Sequence, residues 1–103
     1  MDKTIDIDLV IPIIEDMMLN LRQCTDMVWE EVNTHIGVVI SVMTEIVNWA
    51  QELIGKGEEF PIDMVIQQIQ NLNDAYIAKD EVLLADTLEY EIKNTVYVYM
   101  ENR

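Results

Sequence analysis

The sequence predicts an all-α protein, an antiparallel up-down-up-down four-helix bundle that forms one domain over residues 1–103. Three observations predict it. Three glycines and two prolines in 103 residues are too few for the turns of a β-rich domain. Apolar residues recur at intervals of three and four along every long segment, the period of one helix face. The gaps between these segments are short, which makes consecutive helices antiparallel neighbours. Half of the residues are apolar, enough for one core at this common domain size and too many for a disordered chain.

The first helix is expected to start near Asp8 as its N-cap, with Pro12 tolerated in the first turn and Glu15 and Asp16 toward the positive end of the helix dipole. Val10, Ile13, Ile14, Met17, Leu21, Cys24 and Val28 then form its apolar stripe. A turn is placed within Glu31 to Thr34, with Asn33 or Thr34 capping the next helix. The alternative is a three-helix protein in which the first two helices are one.

In the second helix the stripe is Ile36, Val39, Ile40, Met43, Ile46, Val47, Ala50, Leu53 and Ile54. Gly55 stops it, Lys56 complements its carboxyl end, and Gly55 to Phe60 is the main loop. Pro61 opens the third helix, whose buried side is Ile62, Val65, Ile66, Ile69, Leu72, Tyr76 and Ile77, with Gln67, Gln68, Gln70 and Asn71 opposite. Ala78-Lys79-Asp80 is a tight connection in which Lys79 suits a helix end and Asp80 an N-cap. The fourth helix has its core line through Leu84, Leu88, Ile92, Thr95 and Tyr99, with Ala85 and Val96 beside it.

Charge narrows the partners. Twenty Asp and Glu against six Lys and Arg leave a formal net charge of -14, a field that repels nucleic-acid phosphates and anionic lipid surfaces alike. Neutral or basic proteins remain, together with weak nonspecific cation binding to the acidic surface. A single cysteine, Cys24, allows no internal disulfide. The start Met1-Asp2-Lys3-Thr4-Ile5-Asp6-Ile7-Asp8 has no basic and then apolar leader pattern, and the longest uncharged run, Val32 to Thr44, is shorter than the roughly 20 residues of a membrane span. A cytoplasmic protein is expected.

No catalytic, cofactor or metal site is expected. A di-iron or di-manganese carboxylate bundle takes two Glu-x-x-His pairs, yet the only histidine, His35, has Val32 three residues before it and Glu31 four before it. The loop at Gly55 to Phe60 offers only Glu58 and Glu59, far from a calcium-loop pattern. Cys24 stands in an apolar stripe between Leu21 and Val28, where a thiol is inert. The acid pairs Glu15-Asp16, Glu30-Glu31, Glu58-Glu59 and Asp80-Glu81 point about 100° apart on a helix and do not converge.

What exceeds the needs of a core is the apolar surface of the fourth helix, which adds Val82, Leu83, Tyr90, Tyr97, Val98 and Met100 to its core line. Trp29, Trp49, Met18 and Met27 widen the other helices similarly. Such a surplus is either the edge of a large core or a contact surface, with Val82, Tyr90, Tyr97 and Met100 as the candidate interface and a homodimer as its simplest form. Tyr90 and Tyr97, one heptad apart, are expected on one line distinct from the core line.

The stretch Lys79-Asp80-Glu81-Val82-Leu83-Leu84-Ala85-Asp86-Thr87-Leu88-Glu89-Tyr90-Glu91 resembles a segment found in small uncharacterised helical proteins of clostridia and related Gram-positive bacteria, with a looser likeness around Ile46, Val47 and Trp49. The resemblance implies a helical fold and a bacterial cytoplasmic setting, carries over no activity, and draws attention to Asp86, Glu89 and Tyr90. The expected function is a non-enzymatic protein–protein interaction module, an adaptor or small secretion or flagellar-type chaperone whose apolar helical face is rimmed by acids. The alternative is a structural homodimer or subunit with no separate ligand.

Overall fold

Apolar periodicity is realised as four helices and, among the described residues, no strand. The computed structural model describes residues 7–23 and 29–102. Helix α1 is Ile7–Gln23, α2 is Trp29–Gly55 and α3 is Ile62–Ile77. Helix α4 is α-helical over Glu81–Thr87 and Lys93–Asn102, with a π-helical turn at Leu88–Ile92 between them. Helix α1 packs on α2 and α4, α2 on α3, and α3 on α4, so every helix lies between two neighbours. The particle measures 47 × 30 × 20 Å, its long axis set by α2, about 40 Å at 1.5 Å per residue.

The boundary between the first two helices falls earlier than the expected turn at Glu31 to Thr34. Helix α2 already begins at Trp29 and runs for 27 residues. Its buried side chains Val32, Ile36, Val39, Met43, Ile46 and Ala50 step by four and three without interruption, so a break at residue 33 would split one continuous stripe. Thr34 caps nothing there; its hydroxyl donates back to the Glu30 carbonyl at 3.2 Å, a mid-helix bond. Gly37 costs about 1 kcal/mol in helix propensity, less than the ~1.5–3 kcal/mol gained by each fully buried large apolar side chain. Asp8 likewise lies within the first turn of α1 rather than before it, and Pro12 lies inside that helix on its exposed side. Val10, Ile14, Met17 and Leu21 are buried as expected, joined by Ile11 and Met18, while Cys24, Met27 and Val28 lie outside the described residues.

Two helix ends close in the same way. After α2 the amide of Gly57 donates to the Ile54 carbonyl and that of Glu58 to the Leu53 carbonyl, each at 3.0 Å. This pair of bonds defines a Schellman motif, and its left-handed residue is Gly57 at φ 87°, so the conformational stop is two residues beyond Gly55. After α3 the amide of Lys79 donates to the Tyr76 carbonyl at 3.0 Å and that of Asp80 to the Ala75 carbonyl at 3.1 Å. Here a lysine holds the left-handed position, at φ 56°. Its Nζ lies 4.7 Å from the ring centres of both Trp29 and Tyr76, an attraction that offsets the roughly 1–2 kcal/mol a side chain costs in that conformation. Asp80 then caps α4, its Oδ1 accepting from the Leu83 amide at 3.0 Å. The expected tight connection is therefore a single three-residue joint.

Helix α3 buries Val65, Gln68, Leu72 and Ala75, while Ile66 and Ile77, assigned to the buried stripe, are exposed. Pro61 sits one position before the helix as its N-cap residue, and its carbonyl accepts from the Met64 and Val65 amides. In α4 the expected core line is buried at Leu84, Leu88, Ile92 and Thr95 but only half-buried at Tyr99, while Val96, expected beside the line, is fully buried. Steps of four drift about 40° each around a helix of 3.6 residues per turn, so three such steps would carry Val96 off the face of Leu84. The π turn absorbs an extra residue, with the Lys93 amide donating to the Leu88 carbonyl five residues back, and keeps Leu84, Leu88, Ile92 and Val96 inward.

The three glycines separate two kinds of position. Gly37 is helical with nothing within 4 Å of an added methyl, whereas Gly57 is equally open but left-handed. Gly37→Ala is expected to stabilise the protein by about 0.5–1 kcal/mol in urea denaturation, and Gly57→Ala to destabilise it by about 1 kcal/mol.

Candidate functional site on α4

Three constraints place the outward side chains of α4: the Asp80 cap fixes where the helix starts, the core line fixes which side faces inward, and the π turn resets the register midway. What remains outside is more apolar than a solvated helix face. Val82 is 68%, Tyr90 64% and Tyr97 40% exposed, with Leu83 and Val98 also open. Met100, grouped with them from the sequence, is half-buried against the core and stands at the inner edge of this face.

The expected common line of Tyr90 and Tyr97 does not form. Tyr90 lines a groove between α3 and α4, and Tyr97 does not. Tyr90 belongs to the π turn, whose extra residue breaks the heptad relation to positions beyond it. The outward surface of α4 thus has two parts, one shared with α3 and one carrying Tyr97. Near the amino end, Val82 and Ala85 line a notch of about 310 Å³ with Leu21, Arg22 and Glu81.

The groove is a furrow of about 320 Å³ walled by Phe60, Met64, Tyr90 and Val98. Gln68 and Thr95 also line it, and the Thr95 hydroxyl donates to Gln68 Oε1 at 2.6 Å. Beside them the Asn71 side-chain amide donates to Glu91 Oε1 at 3.0 Å and accepts from Gln67, a chain of hydrogen bonds tying α3 to the π turn. Gln68 belonged to the polar side in the sequence reading and is in fact buried. Thr95 gave only a weak signal, because a buried helical hydroxyl can also donate to the carbonyl four residues back, as Thr87 does to Leu83 at 2.8 Å.

On the opposite flank of the π turn, Arg22 Nη2 of α1 donates to Asp86 Oδ1 at 3.1 Å and to Glu89 Oε1 at 3.2 Å. The two acids singled out near Tyr90 are therefore joined by one guanidinium, which sequence spacing could not reveal. Hydrogen bonding with the neighbouring Tyr90 hydroxyl, helped by Arg22, holds the Glu89 carboxyl below the ordinary carboxylate range. The same contact raises the Tyr90 phenol. Arg22 is raised in turn, chiefly by its bond to Asp86.

The half-buried aromatic side chains pack on one another. Trp49 meets Phe60 and Tyr99 edge-on, each at 5.1 Å between ring centres, and Trp29 packs on Tyr76 at 6.1 Å. His35 is half-buried and Glu31 exposed on α2. Among the described residues no three His, Cys, Asp or Glu side chains converge on a point, and no helix is long and apolar enough to cross a membrane. Comparison with protein-family models, with curated proteins and with solved structures finds no match.

Thr95→Val alone should cost about 1–3 kcal/mol by orphaning Gln68, while the double variant Gln68→Leu with Thr95→Val should recover most of it in a denaturation cycle. The Glu89 contacts predict a pH signature. A carboxyl with a lowered folded pKa stabilises the fold above its unfolded value of about 4.3 and loses that contribution as pH falls through the folded value. The melting-temperature difference between wild type and Glu89→Gln should hold from pH 7 to roughly pH 5.5 and shrink as pH falls below the unfolded value toward the lowered folded one.

Proposed function

We propose that the chain is a non-enzymatic protein–protein interaction module, an adaptor or small secretion or flagellar-type chaperone acting in the cytoplasm. The observation that carries this reading is the apolar surplus of α4: Val82, Tyr90 and Tyr97 stay open although Leu84, Leu88, Ile92 and Val96 already fill the interior side of the same helix. Tyrosine suits such a role, giving large contact area with two rotatable torsions and a polar tip that tolerates water between encounters.

In this reading the scaffold is an antiparallel up-down-up-down bundle. Paired contacts support it: Gln68 with Thr95 and Asn71 with Glu91 ascend one helix while descending the other. Arg22 at the end of α1 meets Asp86 and Glu89 in the first half of α4, which fits the same sense. The acids around the face keep the free protein soluble and steer basic or amphipathic partners toward it. A second copy could occupy the same face, but it brings its own charge of -14 against an identical field.

Tyr97→Glu tests the reading. The variant should keep a helical circular-dichroism spectrum and lose, by about tenfold or more, either the partner captured by the wild-type chain or the dimer mass seen by light scattering. A variant that unfolds with unchanged association beforehand would assign Tyr97 to the core.

A further inference from the structure

We propose that the groove between α3 and α4 docks a basic amphipathic helix of a partner protein, an inference that rests on the interaction reading and names its surface and its chemistry. The walls are apolar, from Phe60 and Met64 on one side and Tyr90 and Val98 on the other. Gln68 and Thr95 are bonded to each other, and among the described residues no buried side-chain nitrogen or oxygen lacks a partner. An apolar side chain that enters therefore leaves the Thr95 hydroxyl and Gln68 Oε1 satisfied by each other.

Size and length set the occupant. A volume of about 320 Å³ is at the small end for organic ligands and suits one or two large apolar side chains. From Glu91 to Val98 the wall extends two helical turns, about 10 Å, so two anchors one or two turns apart on a docked helix fit along it.

Charge sets the sign of the flanks. Glu91 lines the groove, and Glu58, Glu59 and Asp63 border Phe60 and Pro61 in the chain, against the single cation Lys93 next to Asn94. Glu59 itself lines an adjoining depression with Phe60 and Pro61. No lysine or arginine lines the groove, and the whole chain carries -14. Lysines or arginines flanking the apolar anchors would be drawn to this rim, whereas an acidic helix, including any from a second copy, would be repelled.

The test titrates the full isotope-labelled chain with a synthetic helical peptide bearing leucines at i, i+3 or i+4 and i+7 and lysines on its other face, followed by amide chemical shifts. Saturable shifts are expected at Met64, Gln68, Asn94, Thr95 and Val98, weakening with salt and absent for a peptide with glutamates in place of its lysines. Val98→Glu and Met64→Glu, at exposed wall positions, should each weaken binding at least about tenfold, and either variant suffices if the other fails to fold. Shifts centred on Tyr97 and Val82, indifferent to both substitutions, would overturn the groove and leave the interaction module standing. Absence of saturable shifts would also overturn the groove, while partner capture lost in Tyr97→Glu would still uphold the broader reading.

Discussion

A helix in a four-helix cluster can turn only one side inward, and α4 carries more apolar surface than one side holds. Leu84, Ala85, Leu88, Ile92, Thr95 and Val96 occupy the interior. Val82, Leu83, Tyr90, Tyr97 and Val98 are left over and stay exposed. Rotating α4 to bury the second set would expose the first, and each fully buried large apolar side chain is worth about 1.5–3 kcal/mol. The interior set therefore fixes the rotation, and the open face follows from it.

The joint at Ala78-Lys79-Asp80 enforces that rotation from the chain itself. The Schellman bonds close α3, the left-handed Lys79 reverses direction, and the Asp80 side chain caps α4 within the same three residues. With so short a connection, the axial position of α4 beside α3 has little freedom. Gln68 consequently meets Thr95, and Asn71 meets Glu91. Lys79 is then more than a linker residue: its ammonium rests on Trp29 and Tyr76, so the turn is tied to the start of α2 and the end of α3 together.

Much of this was legible in the sequence where periodicity and capping chemistry speak alone. The core line of α4, the Asp80 cap and the loop before Pro61 follow from local spacing, and the structure has them. The start of α2 was misplaced because Asn33, Thr34 and Gly37 look like punctuation, although the buried stripe from Val32 to Ala50 overrides them. Ile77 was expected inside because apolar spacing cannot tell where a neighbouring helix ends; it stands 67% exposed at the last residue of α3. The Arg22 bridge and the Gln68 to Thr95 bond join residues 64 to 67 and 27 positions apart. Pairings at such separations depend on which helices become neighbours, which no local pattern records.

The π turn links this geometry to the surface. In a regular helix Glu89, Tyr90 and Glu91 would step evenly around the axis, and the register beyond them would be unbroken. Here the turn directs Glu89 to Arg22 on the α1 side and Glu91 to Asn71 on the α3 side, with Tyr90 left 64% exposed between them. Both acids are thus engaged by the scaffold, one through a charged pair and one through an amide. Tyr90 stands at the edge of the groove, next in the chain to the carboxylate that Arg22 holds. The same wide turn that keeps Ile92 and Val96 in the core therefore also sets where the exposed aromatic stands beside the groove.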